Sequence, residues 1–132
     1  MYFNLKFISK DVAQAIFEVI APLGGPSMDR VLVLSPKEDE IVQGGIIIPG
    51  QAKEGRPNKG VVVNSGFISD EYSSYRHQVE IGRIITYGMY AGKEIEFDPQ
   101  LFTDAGISID TVNNKFTVLA INEIIYSEKN QN

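Results

Sequence analysis

The side chains able to do chemistry are few. The 132-residue chain holds one histidine, His77, and no cysteine. That excludes thiol catalysis, disulfides and cysteine-based zinc sites. His77 lies in the polar stretch Ser69 to Gln78, where an isolated histidine is ordinarily solvated rather than catalytic. Triads assemble in space, so spacing alone leaves one open, but no Gly-x-Ser-x-Gly elbow is present. Asp39, Asp70 and Asp98 could pair with other carboxylates, yet nothing marks them as buried, and such residues are usually surface charges. Gly88-Met89-Tyr90-Ala91-Gly92-Lys93-Glu94 is slightly like a phosphate loop. It is one residue short, and Glu94 stands where Ser or Thr would bind magnesium. It also falls between expected strands rather than before a helix, so it reads as a turn. Metal-ligand spacing and a calcium-loop pattern are missing, as is a dinucleotide fingerprint. The sequence gives no reason to expect an enzyme, a metal or a cofactor.

The chain's size and composition fit one soluble domain. Apolar residues make up 43% and charged residues 22%. The formal charge of −5 repels phosphate backbones, and no Lys/Arg cluster offsets it, which argues against nucleic acid. No run approaches the roughly 18 apolar residues that cross a bilayer. The start of the chain lacks the apolar core of a secretory signal, so a cytoplasmic protein is expected.

The elements that must position any site follow from periodicity. Met1 to Ile8 alternates through Phe3, Leu5 and Phe7, which predicts a short strand. Ser9 can cap a helix over Lys10 to Ile20, where Val12, Ile16, Val19 and Ile20 recur at helical spacing. Pro22, Gly24, Gly25 and Pro26 end it and mark a boundary. The rest reads as strands: Arg30 to Leu34, Lys59 to Asn64, Val79 to Tyr87, Lys93 to Phe97, Phe116 to Ile121 and Glu123 to Tyr126. No strong helical period follows residue 24. Short strands between Gly and Pro predict an all-β sandwich or barrel.

One segment departs from this pattern. Ser35 to Asn58 holds four of the twelve glycines and three of the six prolines. Loops of that length inside a compact domain are generally functional or disordered. Its centre is Gly44-Gly45-Ile46-Ile47-Ile48-Pro49. Two readings of the isoleucines compete. They form a short buried strand bracketed by turns, or an exposed apolar bait that docks into a partner's groove. Gly44 and Gly45 give backbone freedom before the bait, and Pro49 keeps its end extended.

These residues and those around them resemble the chaperonin-10 family, the GroES-type co-chaperonins. The resemblance runs through Pro26, Asp29-Arg30-Val31-Leu32-Val33, then Gly44-Gly45-Ile46-Ile47-Ile48-Pro49 with Ala52-Lys53-Glu54. It continues through Gly60-Val61-Val62-Val63, Gly66, Val79, Gly82, Ile84, Tyr87, Tyr90-Ala91-Gly92 and Glu94, and closes on Phe116, Val118-Leu119 and Glu123-Ile124. It covers residues 26 to 127 in order, and the loop block is its most specific part. It favours the bait reading.

The resemblance implies a GroES-like, partly open β-barrel over residues 25–132 with a mobile loop at 35–58, preceded by a strand-helix extension at 1–24. It implies a homo-oligomeric ring, seven subunits by analogy, that caps the cage of a group I chaperonin and assists unfolded client proteins indirectly. Ile46, Ile47 and Ile48 would enter the chaperonin's groove, with Gly44, Gly45 and Pro49 setting loop flexibility. ATP would be bound and hydrolysed by the partner. First and last strands of neighbouring subunits would pair through Val31, Val33, Ile121, Ile124 and Tyr126. Three departures stand out. Residues 1–24 precede the usual start, Asp98 to Asn114 is an insertion, and the roof region Phe67 to Gln78 carries Tyr72 and Tyr75 instead of a Gly-containing turn. Such divergence suits a specialised or virus-encoded member working in a host cytoplasm. The alternative is a ring-forming β-barrel adaptor without a chaperonin partner, its isoleucines buried in the free protein.

Overall fold

The computed structural model describes residues 7–36, 41–43, 46–48, 58–112 and 114–132. The first regular element is helix α1, Lys10–Ile20. Ser9 caps it, its hydroxyl accepting the Val12 N–H at 3.2 Å. Ala13, Ile16 and Ile20 recur on one stripe and are buried, and a 3-10 turn containing Pro22 ends the helix. Most of the predicted strand Met1 to Ile8 lies outside the described residues; Phe7 and Ile8 themselves are not in a strand.

Six strands then form one antiparallel sheet: β1 Arg30–Pro36, β4 Asn58–Ser65, β5 Ile84–Tyr87, β6 Lys93–Ile95, β7 Asn114–Ala120 and β8 Ile124–Glu128. Two more, β2 Ile41–Gln43 and β3 Ile46–Ile48, pair only with each other. The large sheet is ordered β6-β7-β1-β4-β5-β8, so its end strands are β6 and β8 and it stays open. The architecture is all-β, with few helices.

The sheet is buried on both faces at its centre. On one face Val31, Val33, Val62, Ile85, Tyr87 and Leu119 pack with Ile68, Val79 and Ile121. On the other, Leu32, Leu34, Val61, Val63, Ile84 and Phe116 pack beneath α1 and a second helix, α2, Pro99–Asp104. Alternate residues of β1 and β4 therefore enter opposite cores, and their sequences read as unbroken apolar runs. Residues 1–24 were expected as an extension; α1 within them shares a core with the barrel strands.

Helix α2 adds an element where the chain after residue 24 was read as strands without strong helical periodicity. Its signal was local and short: Asp98 caps it, accepting the Gln100 N–H at 3.0 Å, and Pro99 fills its first turn. Six residues are too few to show a 3.6-residue period. Phe102 anchors the insertion, 1% exposed, stacked on Phe116 at 5.7 Å between ring centroids and edge-on to Phe97 at 6.2 Å. A correction concerns Val79 to Tyr87. Val79 closes a 3-10 helix, and a turn with Gly82 at φ +97° intervenes, a conformation suited to glycine, so the strand starts at Ile84.

Phe102→Ala is expected to lower the unfolding free energy by about 3–5 kcal/mol in urea titrations. Glu18→Ala, on the exposed side of α1, should change it by less than about 0.5 kcal/mol.

Candidate functional site

The excursion between β1 and β4 leaves the barrel from two anchored stems. At the exit, Ser35 is 1% exposed and its hydroxyl shares a 2.6 Å hydrogen bond with the Tyr87 hydroxyl. Gly60 lies against that hydroxyl so closely that a Cβ would collide with it. At the return, Asn58 Nδ2 donates to the Met89 carbonyl at 3.3 Å, and Lys59 pairs with Glu128 at 3.7 Å. The excursion carries the β2/β3 hairpin, with Ile41 opposite Ile48, Val42 opposite Ile47 and Gln43 opposite Ile46. The three isoleucines thus form a strand, on a two-stranded sheet separate from the barrel sheet. Gly44, Gly45 and Pro49 lie outside the described residues. A lone two-stranded hairpin is marginally stable in water.

The region 67–78 is held differently. Asp70–Val79 is a 3-10 helix of ten residues, long for that geometry. Tyr72 packs against the Val31–Leu119 core, and Tyr75 meets it at 6.0 Å between ring centroids while staying partly exposed. Asp29 fixes the start of this helix. Its carboxylate accepts the Ser69 N–H and Oγ–H, both at 2.7 Å. Its backbone N–H donates to Phe67 at 2.8 Å and its carbonyl accepts from Ile121 at 3.0 Å. Asp29 sits at φ +60°, which aspartate tolerates better than most residues. Sequence reading found Asp29 only as part of a motif; its hub role depends on contacts 40 residues away.

The expected subunit-interface residues divide. Val31 and Val33 are fully buried, and both edges of β1 are taken by β4 and β7 within the chain. This corrects the expectation that β1 pairs with a neighbour, because it has no free backbone edge to offer. Ile121 is buried in a 3-10 turn beside the same core. Ile124 and Tyr126 lie on β8, whose outer edge is free among the described residues.

The weak chemical candidates stay apart. His77 is exposed and bonds Glu80 through Nδ1 at 3.1 Å. Asp70 is exposed at the start of its 3-10 helix, Asp98 caps α2, and Asp39 lies outside the described residues. Gly88 to Glu94 runs from the turn after β5 into β6, with Gly92 donating to Glu123 Oε2 at 3.3 Å.

An open all-β barrel that sends out an apolar hairpin between its two central strands is the GroES-like class of fold. The family model described as "Chaperonin 10 Kd subunit" matches residues 24–125. The co-chaperonin GroES of Solidesulfovibrio magneticus is 39% identical over 85 residues, which is 63% of this chain and 83% of that protein. That of Marinobacter nauticus is 37% identical over 75 residues, 55% of this chain and 78% of its own length. That of Coprothermobacter proteolyticus is 40% identical over 81 residues, 60% of this chain and 78% of its own. The chain belongs to the chaperonin-10 family, and its function is that of a co-chaperonin.

Asp29→Ala should lower stability by about 2–4 kcal/mol, since two bonds to a charged acceptor vanish and alanine must hold a left-handed backbone. Hydrogen exchange at the Ser69 amide should speed up at least tenfold relative to amides of β4. An unchanged rate there would remove Asp29 from the hub role.

Proposed function

We propose that this chain assembles into a ring, by analogy of seven copies, and caps a group I chaperonin in a nucleotide-dependent way. The β3 segment Ile46–Ile48 is the contact, laid into an apical groove of the partner. The observation that carries this reading is the placement of three isoleucines on a hairpin outside the barrel sheet. An extended segment can add to a groove through backbone hydrogen bonds and alternate side-chain pockets. Residues 67–78 with Tyr72 and Tyr75 form the roof side of the ring. Nucleotide is bound and hydrolysed by the chaperonin, and this subunit works without a cofactor of its own in the cytoplasm.

Magnitudes favour many weak contacts over one strong one. Burying three isoleucines contributes roughly 1.5–3 kcal/mol each, or about 4.5–9 kcal/mol. Ordering the flanking chain costs about 1–2 kcal/mol per residue fixed. One loop therefore binds weakly. Several on one ring bind tightly through effective concentration, and release together when the partner's grooves move.

The first test is co-elution with a bacterial group I chaperonin on size exclusion, with and without ATP or ADP. Nucleotide-dependent co-elution is expected. Ile47→Asp should leave ring mass unchanged and weaken capping at least 100-fold. An Ile47→Asp ring that still caps would overturn the assignment of the contact, and rapid amide exchange at β3 should be lost on capping.

A further inference from the structure

A bulge between β1 and β4 re-aims one polar side chain. Val33 faces Val62 and Leu32 faces Asn64, so Val63 is the extra residue. Val63 belongs to the core beneath α1. Strict alternation would send Asn64 to the opposite face, but the bulge turns it to this one, beside Leu32. Asn64 is only 6% exposed. Its Oδ1 accepts the Ser65 N–H at 2.8 Å, which fixes the other end of the amide as the donor. That donor, Nδ2, has no hydrogen-bond partner among the described residues. A buried amide left so costs stability, and native structures rarely keep one without a use.

Asn64 lines a cavity of about 300 Å³ between the sheet and the turn after α1. The walls are apolar: Leu23 and Pro26 from the turn, Leu32 of β1, Val118 of β7, then Ile95 and Phe97. The Phe97 ring is held edge-on to Phe116, 4.9 Å between centroids. Gly25 keeps the approach to Nδ2 clear, since a Cβ there would stand 3.2 Å from it. No charged side chain lines the cavity among the described residues. The bordering edge strand β6 has three residues, two of them Lys93 and Glu94, a poor template for an added peptide strand.

We infer that this cavity binds a small neutral molecule with an aliphatic body and one carbonyl, whose oxygen accepts a hydrogen bond from Asn64 Nδ2. The inference stands apart from the ring and capping readings. The cavity lies at the lower end of the size range of ligand pockets. At about 30 Å³ per water-sized group, it takes roughly ten non-hydrogen atoms. A carboxylate would be desolvated there with no cation to meet it, in a chain whose net charge is already −5. A pure hydrocarbon would leave Nδ2 unpaired. A ketone, ester or amide carbonyl on an apolar body matches both the walls and the donor.

The probe is N,N-dimethylhexanamide, which is of that size, accepts hydrogen bonds and cannot donate them. Titrated into the full-length protein, it should shift the Asn64 side-chain NH2 signals and the Gly25 amide in proton–nitrogen NMR spectra. The shifts should saturate with a Kd below about 1 mM. Hexanoate should bind at least tenfold more weakly. Asn64→Asp keeps the acceptor for the Ser65 N–H and removes the donor, so it should weaken the amide at least tenfold. Gly25→Ala crowds Nδ2 from an exposed turn and should weaken it at least threefold, which gives a second reading if Asn64→Asp fails to fold. No saturable shift at Asn64 up to about 10 mM probe, on a scale where 1 mM is already weak, would overturn the inference. So would unchanged affinity in the folded variants, or hexanoate binding as tightly as the amide.

Discussion

Everything in this molecule follows from burying both faces of β1 and β4. Each of these strands sends alternate aliphatic side chains into two cores on opposite sides of one sheet. A sheet so constituted cannot leave either face to water without exposing a row of valines or leucines. One face is closed by Ile68 and by Val79 and Ile121, the last two held on 3-10 turns. The other is closed by α1 and α2. Two of the three segments read as departures from the family pattern, at the start of the chain and at 98–114, therefore serve the same face through α1 and α2. The polar joints, Ser35 with Tyr87 and Asp29 with Ser69, sit where the chain must leave or enter this double core. Each satisfies groups that the packing would otherwise strand.

This arrangement separates rigidity from recognition. The barrel is fixed by its central strands β1 and β4, paired on both edges and buried on both faces. The hairpin hangs from it by two stems that are themselves tightly held. In the ring proposed above, such a scaffold would set the spacing of the loops without taking part in each contact. Tuning of affinity is then free to act through the loop sequence, and tuning of geometry through the barrel.

Much of the barrel was legible because its strands are strongly patterned. The runs Val31 to Leu34 and Val61 to Val63 have too many consecutive branched residues for anything but a buried strand. Helix α1 was legible to its ends, since Ser9 and Pro22 punctuate an amphipathic repeat of three turns. What escaped shares a physical cause. α2 is shorter than two helical turns, and Asp70–Val79 is a polar 3-10 helix without a period-3.6 stripe, so neither leaves a hydrophobic signature. The place of β1 within the sheet was illegible for another reason. Alternation fixes which face a residue takes but not which neighbours a strand has, and the same apolar run fits an edge or a centre. At the candidate site, the three isoleucines were found by their contrast with a Gly- and Pro-rich setting, whereas Asp29 was not, because its partners are distant in sequence.

The ties between Asn130 and Ile8 and between Asn132 and Phe7 span 122 and 125 residues of chain. They join the first described residues to the last. Contacts of such separation close late, because the intervening loop must be reeled in before they yield anything. On the ribosome, α1 emerges long before the strands it must cover, and its apolar stripe waits for β4, while the latch on its leading end waits for residue 130. The outer layer is thus the last to be fastened. Until β4 is made, the apolar stripe of α1 has no strand to cover, and an uncovered stripe of that kind is where a folding chain is open to aggregation.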